Sequence, residues 1–384
     1  MDHKLQKSPS RSDAGRNDDT VLTFNPNRLS FARRRRGLKK ADLARLSGVH
    51  IRSVTGFEAG EFSPSADTLE RIAAALSFPP TFFIGDDIDE VILDSGSFRS
   101  MSKMTARQRD MALCQAAIGV TLGAWIERKF ELPKPELPDL SREADPEAAA
   151  ESLRQEWFIG ALPIRNMVHL LESKGVRVFS LSIDAREVDA FSMWKAGTPY
   201  VFLNTNKSSE RSRFDAAHEL GHLVLHKEAS PHGREAETQA NRFASAFLMP
   251  RASVLANAPR FPVFDTLVKL KKIWAVSIGA LAYRLHELRV ISDWQYRGLA
   301  VEIAKRDRTK EPEGIPGRET SLVFPAVFRQ LYEEGITRSN VAQMLSVYTQ
   351  ELEDLLLGLV MTSVEGRRPQ GKNSGGAAEL RRIK

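Results

Sequence analysis

Two histidines and a glutamate in the run His218-Glu219-Leu220-Gly221-His222 have the types and the spacing to hold a metal ion beside a base. On a helix, residues four apart lie about 40° round from one another, so both imidazoles can converge on one zinc ion. Glu219, adjacent to the first histidine, can reach a water polarised by that ion and take its proton, the general-base role of hydrolytic zinc sites. Such sites use three protein ligands and leave a position for water. A third ligand must therefore come from elsewhere in the chain.

The next helical segment offers Glu235 and Glu237. At 100° per residue, Ala240, Phe243, Ala244, Phe247 and Leu248 centre an apolar face about 50° from Glu237 and about 150° from Glu235. Glu237 therefore borders the core, and Glu235 faces water. One turn on, Asn241 is placed to hydrogen-bond a ligand histidine from behind. His226 falls about 40° further round the first helix than His222. A fourth ligand would close the site to water, so His226 is expected to support the site rather than to bind the metal. The extended motif that adds a third histidine after a glycine is excluded, because Leu225 and Glu228 stand at those positions.

These residues need a scaffold. Phe214–His226 and 235–248 read as helices, the second stopped by Pro250. Before them the period changes from helical to alternating, and residues 176–181, 190–194 and 200–204 read as three short strands. A zinc peptidase would hold an extended substrate along such a sheet edge. Residues 103–130, 144–157 and 164–174 read as helices. The chain after 256 is mostly helical. Residues 273–285 and 335–347 both resemble helical hairpins, and the second could be another helix-turn-helix or a packing module.

Composition bounds the class. The 384 residues carry 42% hydrophobic and 27% charged side chains, as in ordinary globular proteins, and the length suggests two or three domains. No apolar run is long enough to span a bilayer, and the N-terminus lacks a signal-peptide apolar region. One cysteine, Cys114, excludes an intrachain disulfide and a cysteine-rich metal cage. A cytoplasmic protein with no membrane partner fits these features. The net charge of +6 is modest, but positive charge is concentrated in Arg33, Arg34, Arg35 and Arg36, with Lys39 and Lys40 after them. Such a patch on a folded unit is an electrostatic footprint for phosphate.

That patch precedes a short helical pattern. Leu43, Ala44 and Leu46 can pack a first helix, and Gly48 can take the turn conformation that residues with a Cβ resist. A second helix from about His50 to Glu58 would keep Val54 and Phe57 inward. It would leave Arg52, Ser53 and Thr55 outward, able to reach base edges. Residues 27–83 resemble the Cro/C1-type (XRE) helix-turn-helix, through Phe57-Glu58-Ala59-Gly60 and Leu69-Glu70-Arg71-Ile72-Ala73-Ala74-Ala75-Leu76. The resemblance implies double-stranded DNA as partner. Lys40 stands where that family often has a base-reading glutamine, so a sequence preference does not carry over.

The metal motif carries a second resemblance. Residues 213–226, then Glu237-Thr238-Gln239-Ala240-Asn241-Arg242-Phe243-Ala244, then Phe247-Leu248-Met249-Pro250, resemble the ImmA/IrrE-type metallopeptidases. The resemblance extends back through the strands to about Ala161. It implies a zinc endopeptidase acting on a repressor, with the positions of His218, His222 and Glu237 binding Zn2+ and Glu219 as catalytic acid/base.

The expected fold is mainly α with α+β: an N-terminal all-α helix-turn-helix domain, a small-sheet zincin-like peptidase domain and a helical C-terminal region. The expected bounds are a disordered 1–25, the DNA-binding domain at 26–86, a helical connector at 87–160, the metallopeptidase domain at 161–255, the C-terminal region at 256–363 and a disordered basic tail at 364–384. The expected function is transcription control by cleavage of a repressor or antitoxin-like protein, with a homodimer contact through the helix-turn-helix region. The alternative is a regulator of the XRE family whose peptidase-like domain senses metal or ligand without proteolysis.

Overall fold

The computed structural model describes residues 23–91, 104–181, 189–227, 233–306, 311–314, 317–360 and 381–382. Expectations for residues 1–22 and most of 364–384 lie outside the described residues. No helix among the described residues is long and apolar enough to cross a membrane.

The N-terminal unit is all-helical. Helix α1 (Pro26–Arg35) starts where the Asn25 side chain accepts from the amides of Asn27 and Arg28, with proline in the first turn. Helices α2 (Lys40–Ser47) and α3 (Ile51–Ala59) are joined through Gly48, whose φ of +65° is the left-handed conformation expected there. Helix α4 (Ala66–Leu76) is capped by Ser65, and a 3-10 turn at Pro80–Ile84 closes the unit. Its core holds Leu29, Leu43, Val54, Ile72 and Leu76, all fully buried.

Helix α5 (Ala106–Glu127), begun by a capping box on Thr105 and Gln108, is buried over much of its length. It is no mere connector. Gly119 and Gly123 let it approach a sheet, where an added Cβ would sit 3.0 Å from Phe202 and 3.3 Å from Tyr200 respectively. After a two-residue strand β1 (Phe130–Glu131) come α6 (Pro146–Glu156) and α7 (Met167–Ser173). The sheet comprises β2 (Arg177–Ser180), β3 (Ala190–Lys195) and β4 (Thr198–Leu203) in the order β2-β4-β3. β4 runs parallel to β2 and antiparallel to β3. Phe179, Phe191 and Phe202 stack on the face toward α5, with Phe191 and Phe202 centroids 4.8 Å apart. Alternation then turns Ser192 to the other face.

That other face receives α8 (Ser209–Leu225), on which α9 (Arg234–Leu248) packs. Gly221 makes the approach close: a Cβ there would lie 3.3 Å from the Ala240 Cα and 3.0 Å from the Phe243 ring. The remaining helices are α10 (Arg251–Ala256), α11 (Phe264–Leu270), α12 (Ile278–Glu287), α13 (Asp293–Ala304), α14 (Val323–Glu333), α15 (Arg338–Met344) and α16 (Thr349–Leu356). At the tail, Arg381–Arg382 do not hang loose as expected but form β5 against β1, with Arg382 2.8 Å from Glu334.

The basic run on α1 is not the phosphate-facing patch that the sequence suggests. Arg35 is 1% exposed and its Nε lies 3.1 Å from Glu351, itself 2% exposed, on α16. Arg36 contacts the same carboxylate at 2.5 Å and donates to the carbonyls of Leu76 and Ser77. Arg33 forks onto Glu58 at 2.6 and 3.0 Å, and Arg34 pairs with Glu90. Lys40 also reaches Glu58, at 3.4 Å. The reason is topological: α16, far away in sequence, brings a buried carboxylate to the end of α1. The segment at 335–347 holds the single helix α15, and the turn at Ser346, φ +55°, leads from it into α16 beyond the segment. Helix α16 buries Glu351, Leu352, Leu355 and Leu356 and leaves Gln350 and Glu353 exposed, so its outer face carries no basic side chain to meet phosphate.

Removing one partner of a buried pair leaves an uncompensated charge, a loss of about 3–5 kcal/mol. Glu351→Ala is therefore expected to destabilise the chain by about 3 kcal/mol or more, whereas the exposed Arg52→Ala changes stability by within about 0.5 kcal/mol. Denaturant unfolding of the two variants measures the difference. A Glu351→Ala variant as stable as the parent would show that the pair contributes nothing.

Candidate metal centre

Helix α8 begins at the Ser208 cap, which accepts from the amide of Arg211, and runs beneath the sheet so that almost every residue from Asp215 to Leu225 is buried. His218 and His222, one turn apart, point their Nε2 atoms at each other across 3.1 Å. Glu237, in the first turn of α9, closes the triangle, with Oε2 3.6 Å from His218 Nε2 and Oε1 3.5 Å from His222 Nε2. One donor atom from each of the three lies within 4.8 Å of the others. Glu235 is exposed, on the far side of the helix from this cluster.

The ring nitrogens not in the triangle are held from behind. His218 Nδ1 meets Asn241 Oδ1 at 3.1 Å. His222 Nδ1 meets His226 Nδ1 at 2.9 Å, and His226 Nε2 meets Gln239 Oε1 at 3.0 Å. One proton assignment serves both chains of contacts. His218 donates from Nδ1 to Asn241, His222 donates from Nδ1 to His226, and His226 donates from Nε2 to Gln239. Both ligand-type imidazoles are then neutral, with their Nε2 lone pairs turned into the triangle beside a carboxylate. Glu237 Oε1 is buried there without a hydrogen bond. Two imidazole lone pairs and a carboxylate oxygen repel one another unless a cation lies among them. The donor set is that of catalytic zinc sites, so the residues present fit the ion.

The electrostatics of the two histidines differ. Burial pushes His222 down to about 4, which keeps it neutral and available as a donor. Contacts with His218, then His222, hold the Glu237 carboxyl far below the usual carboxylate range. For His218, burial acts downward, but contact with Glu237 and the charges of Glu219 and Asp215 outweigh it and raise the group. Burial pushes the Glu219 carboxyl up to about 7, against the opposing influence of His218 and of a hydrogen bond from Ser192. A carboxyl titrating near neutrality can both take and return a proton.

Ser192 and Gln239 escaped the sequence reading. Ser192 Oγ donates to Glu219 Oε2 at 2.7 Å from the sheet face that alternation assigns to α8. Its signal was a lone serine among Ala190, Phe191 and Met193, visible only once the strand and its facing helix are both known. Asn241 and His226 do lie behind the ligand-type imidazoles. Replacing either by alanine is expected to weaken zinc binding about 10- to 100-fold, the usual loss when a supporting partner of a ligand is removed. Titration against a chelating dye measures it, and unchanged affinity in both variants would disprove the supporting role.

On the helix-turn-helix unit, Ile51, Arg52 and Thr55 are exposed on α3, Ser53 is partly so, and Val54 and Phe57 are buried. The outward face of this helix is therefore open, unlike the arginine run on α1.

Residues 29–83 match the family model described as helix-turn-helix, and residues 171–286 match the one described as IrrE N-terminal-like domain. The second match runs past residue 255 to take in α11 and α12. A search of curated proteins returned no match. The chain thus joins an N-terminal helix-turn-helix domain of the XRE type to an IrrE-like peptidase domain.

Proposed function

We propose that this chain is a DNA-binding zinc metallo-endopeptidase that controls transcription by cleaving a repressor or antitoxin-like protein. The observation that carries the reading is the convergence of His218, His222 and Glu237 within 4.8 Å, beside a buried Glu219. When bound, zinc would supply a Lewis acid that polarises the water and the scissile carbonyl. Glu219 takes the proton of the attacking water at Oε1, the oxygen that Ser192 does not hold. It then returns that proton to the amine nitrogen as the carbon–nitrogen bond breaks. Asn241 and His226 keep the imidazoles in the tautomer that presents Nε2. Arg52, Ser53 and Thr55 on α3 are the residues proposed to meet base edges in a major groove, and the unit carrying them is the natural contact for a homodimer on a two-fold operator.

The test is incubation of the zinc-loaded chain with the products of genes encoded beside its own, followed by mass spectrometry of any fragments. Cleavage that disappears with a chelator and returns with zinc supports the reading. The second reading, a regulator that senses metal or ligand without cutting, draws on the burial of Arg35 against Glu351. That pair joins the DNA-binding unit firmly to the rest of the chain. Under it, no fragment forms, and DNA affinity changes with zinc.

A further inference from the structure

Beside the metal centre lies a cleft of ≈ 550 Å³ between α8, α9 and α12. Its metal end is marked by Asn241, the residue that holds His218. Along one wall runs Phe214, one turn before His218 on the same face of α8. Thr238, Asn241 and Ser245 form a stripe along α9, and Ala280 and Tyr283 face them from α12. The position of α12 is fixed by its next residue, Arg284. That side chain is fully buried and donates to the Met249 carbonyl at 3.1 Å and to Glu147 at 2.6 Å. Tyr283 itself is 46% exposed, with its ring edge-on to Tyr296 at 6.4 Å between centroids.

One atom in this wall is unexplained by the fold. Ser245 is 3% exposed, and its Oγ makes no hydrogen bond. A buried hydroxyl without a partner is costly, and here it lines a cleft in which Phe214, Ala280 and Tyr283 supply the apolar surface while Glu210, Arg211 and Arg242 add charge. Arg211, Ser277 and Gly279 line both this cleft and a second one of ≈ 800 Å³ beside it. A single small ligand would not need that length. A polypeptide would.

We infer that this cleft is the specificity pocket of the proposed peptidase, and that it takes a substrate side chain with an aromatic body and a hydrogen-bonding tip, seated between Phe214 and Tyr283 with its tip at Ser245. Tyrosine is the residue of that chemistry. The C-terminal part of the chain, through α12, then forms one side of the substrate site. This inference rests on the metal-centre reading above, and the experiment separates the two.

The probes are three hydroxamates, whose head group chelates the metal: acetohydroxamic acid, L-phenylalanine hydroxamic acid and L-tyrosine hydroxamic acid. Binding to the zinc-loaded full chain is measured by calorimetry, so no substrate is needed. Acetohydroxamate has no side chain and reports the metal alone. The aromatic probes are expected to bind about tenfold or more tightly than it, from the apolar area they cover. The tyrosine probe should exceed the phenylalanine probe by about threefold to tenfold, the worth of one hydrogen bond. Ser245→Ala should abolish the tyrosine preference and keep the aromatic gain, whereas Tyr283→Ala should abolish most of the aromatic gain. Equal affinity for the three probes, or a gain untouched by both substitutions, would overturn the pocket. Failure of acetohydroxamate to bind would overturn the metal centre, and the pocket with it.

Discussion

Glu237→Ala is expected to lower the zinc affinity of the full chain by about a hundredfold or more, since even a supporting partner of a ligand is worth 10- to 100-fold. Glu235→Ala, two residues away, should leave the affinity unchanged. The contrast follows from where α9 turns its first-turn carboxylates. Glu237 lies 3.6 Å from His218 Nε2 and 3.5 Å from His222 Nε2, whereas Glu235 is exposed on the far side. Without Glu237 the triangle retains only two neutral imidazoles and loses the charge that balances a divalent ion. Folding should survive, because the apolar face of α9, with Phe243, Ala244 and Phe247 fully buried, is untouched. Competitive titration with a zinc indicator, with circular dichroism to verify the fold, compares the variants. Equal affinities, or a larger loss at Glu235, would exclude Glu237 as a ligand.

Glu219→Gln is expected to keep zinc and lose cleavage by about 10²- to 10⁴-fold, the range of a general acid–base contribution. The amide has the shape of the carboxyl and can still accept from Ser192 Oγ, 2.7 Å from Glu219 Oε2. It cannot take a proton from water. Because Glu219 is buried with its carboxyl pushed up to about 7, the neutral amide should also be tolerated without loss of stability. Zinc content by atomic absorption and fragment release by mass spectrometry give the two halves of the result. Undiminished cleavage would remove Glu219 from the mechanism. Loss of cleavage with gene regulation intact would favour the sensing alternative.

Local features of the chain carried much of this. The spacing of His218 and His222 works on any helix, and the helical angle of Glu237 against Ala240, Phe243 and Phe247 depends only on 3.6 residues per turn. The period-2 runs gave all three strands of the sheet to within a few residues. The turn at Gly48 follows from local backbone conformation, and the outward placement of Arg52 and Thr55 follows from helical periodicity.

What the chain could not announce were partners brought from far away. Four consecutive arginines read as a phosphate patch because charge runs are usually solvated, and nothing near them in sequence says otherwise. Their fate was decided by Glu351, whose carboxylate arrives on α16 and turns Arg35 and Arg36 into an internal clamp. Ser192 meets Glu219 only because the sheet stacks on α8, and Gln239 meets His226 only because Gly221 lets α8 and α9 approach closely. Tyr283 reaches the cleft because the buried guanidinium of Arg284 fixes α12 against Met249 and Glu147. Helical and strand periodicity are set by each residue's own backbone and can be read locally. The pairing of charges and hydroxyls depends on which elements meet, and that is a property of the packed chain.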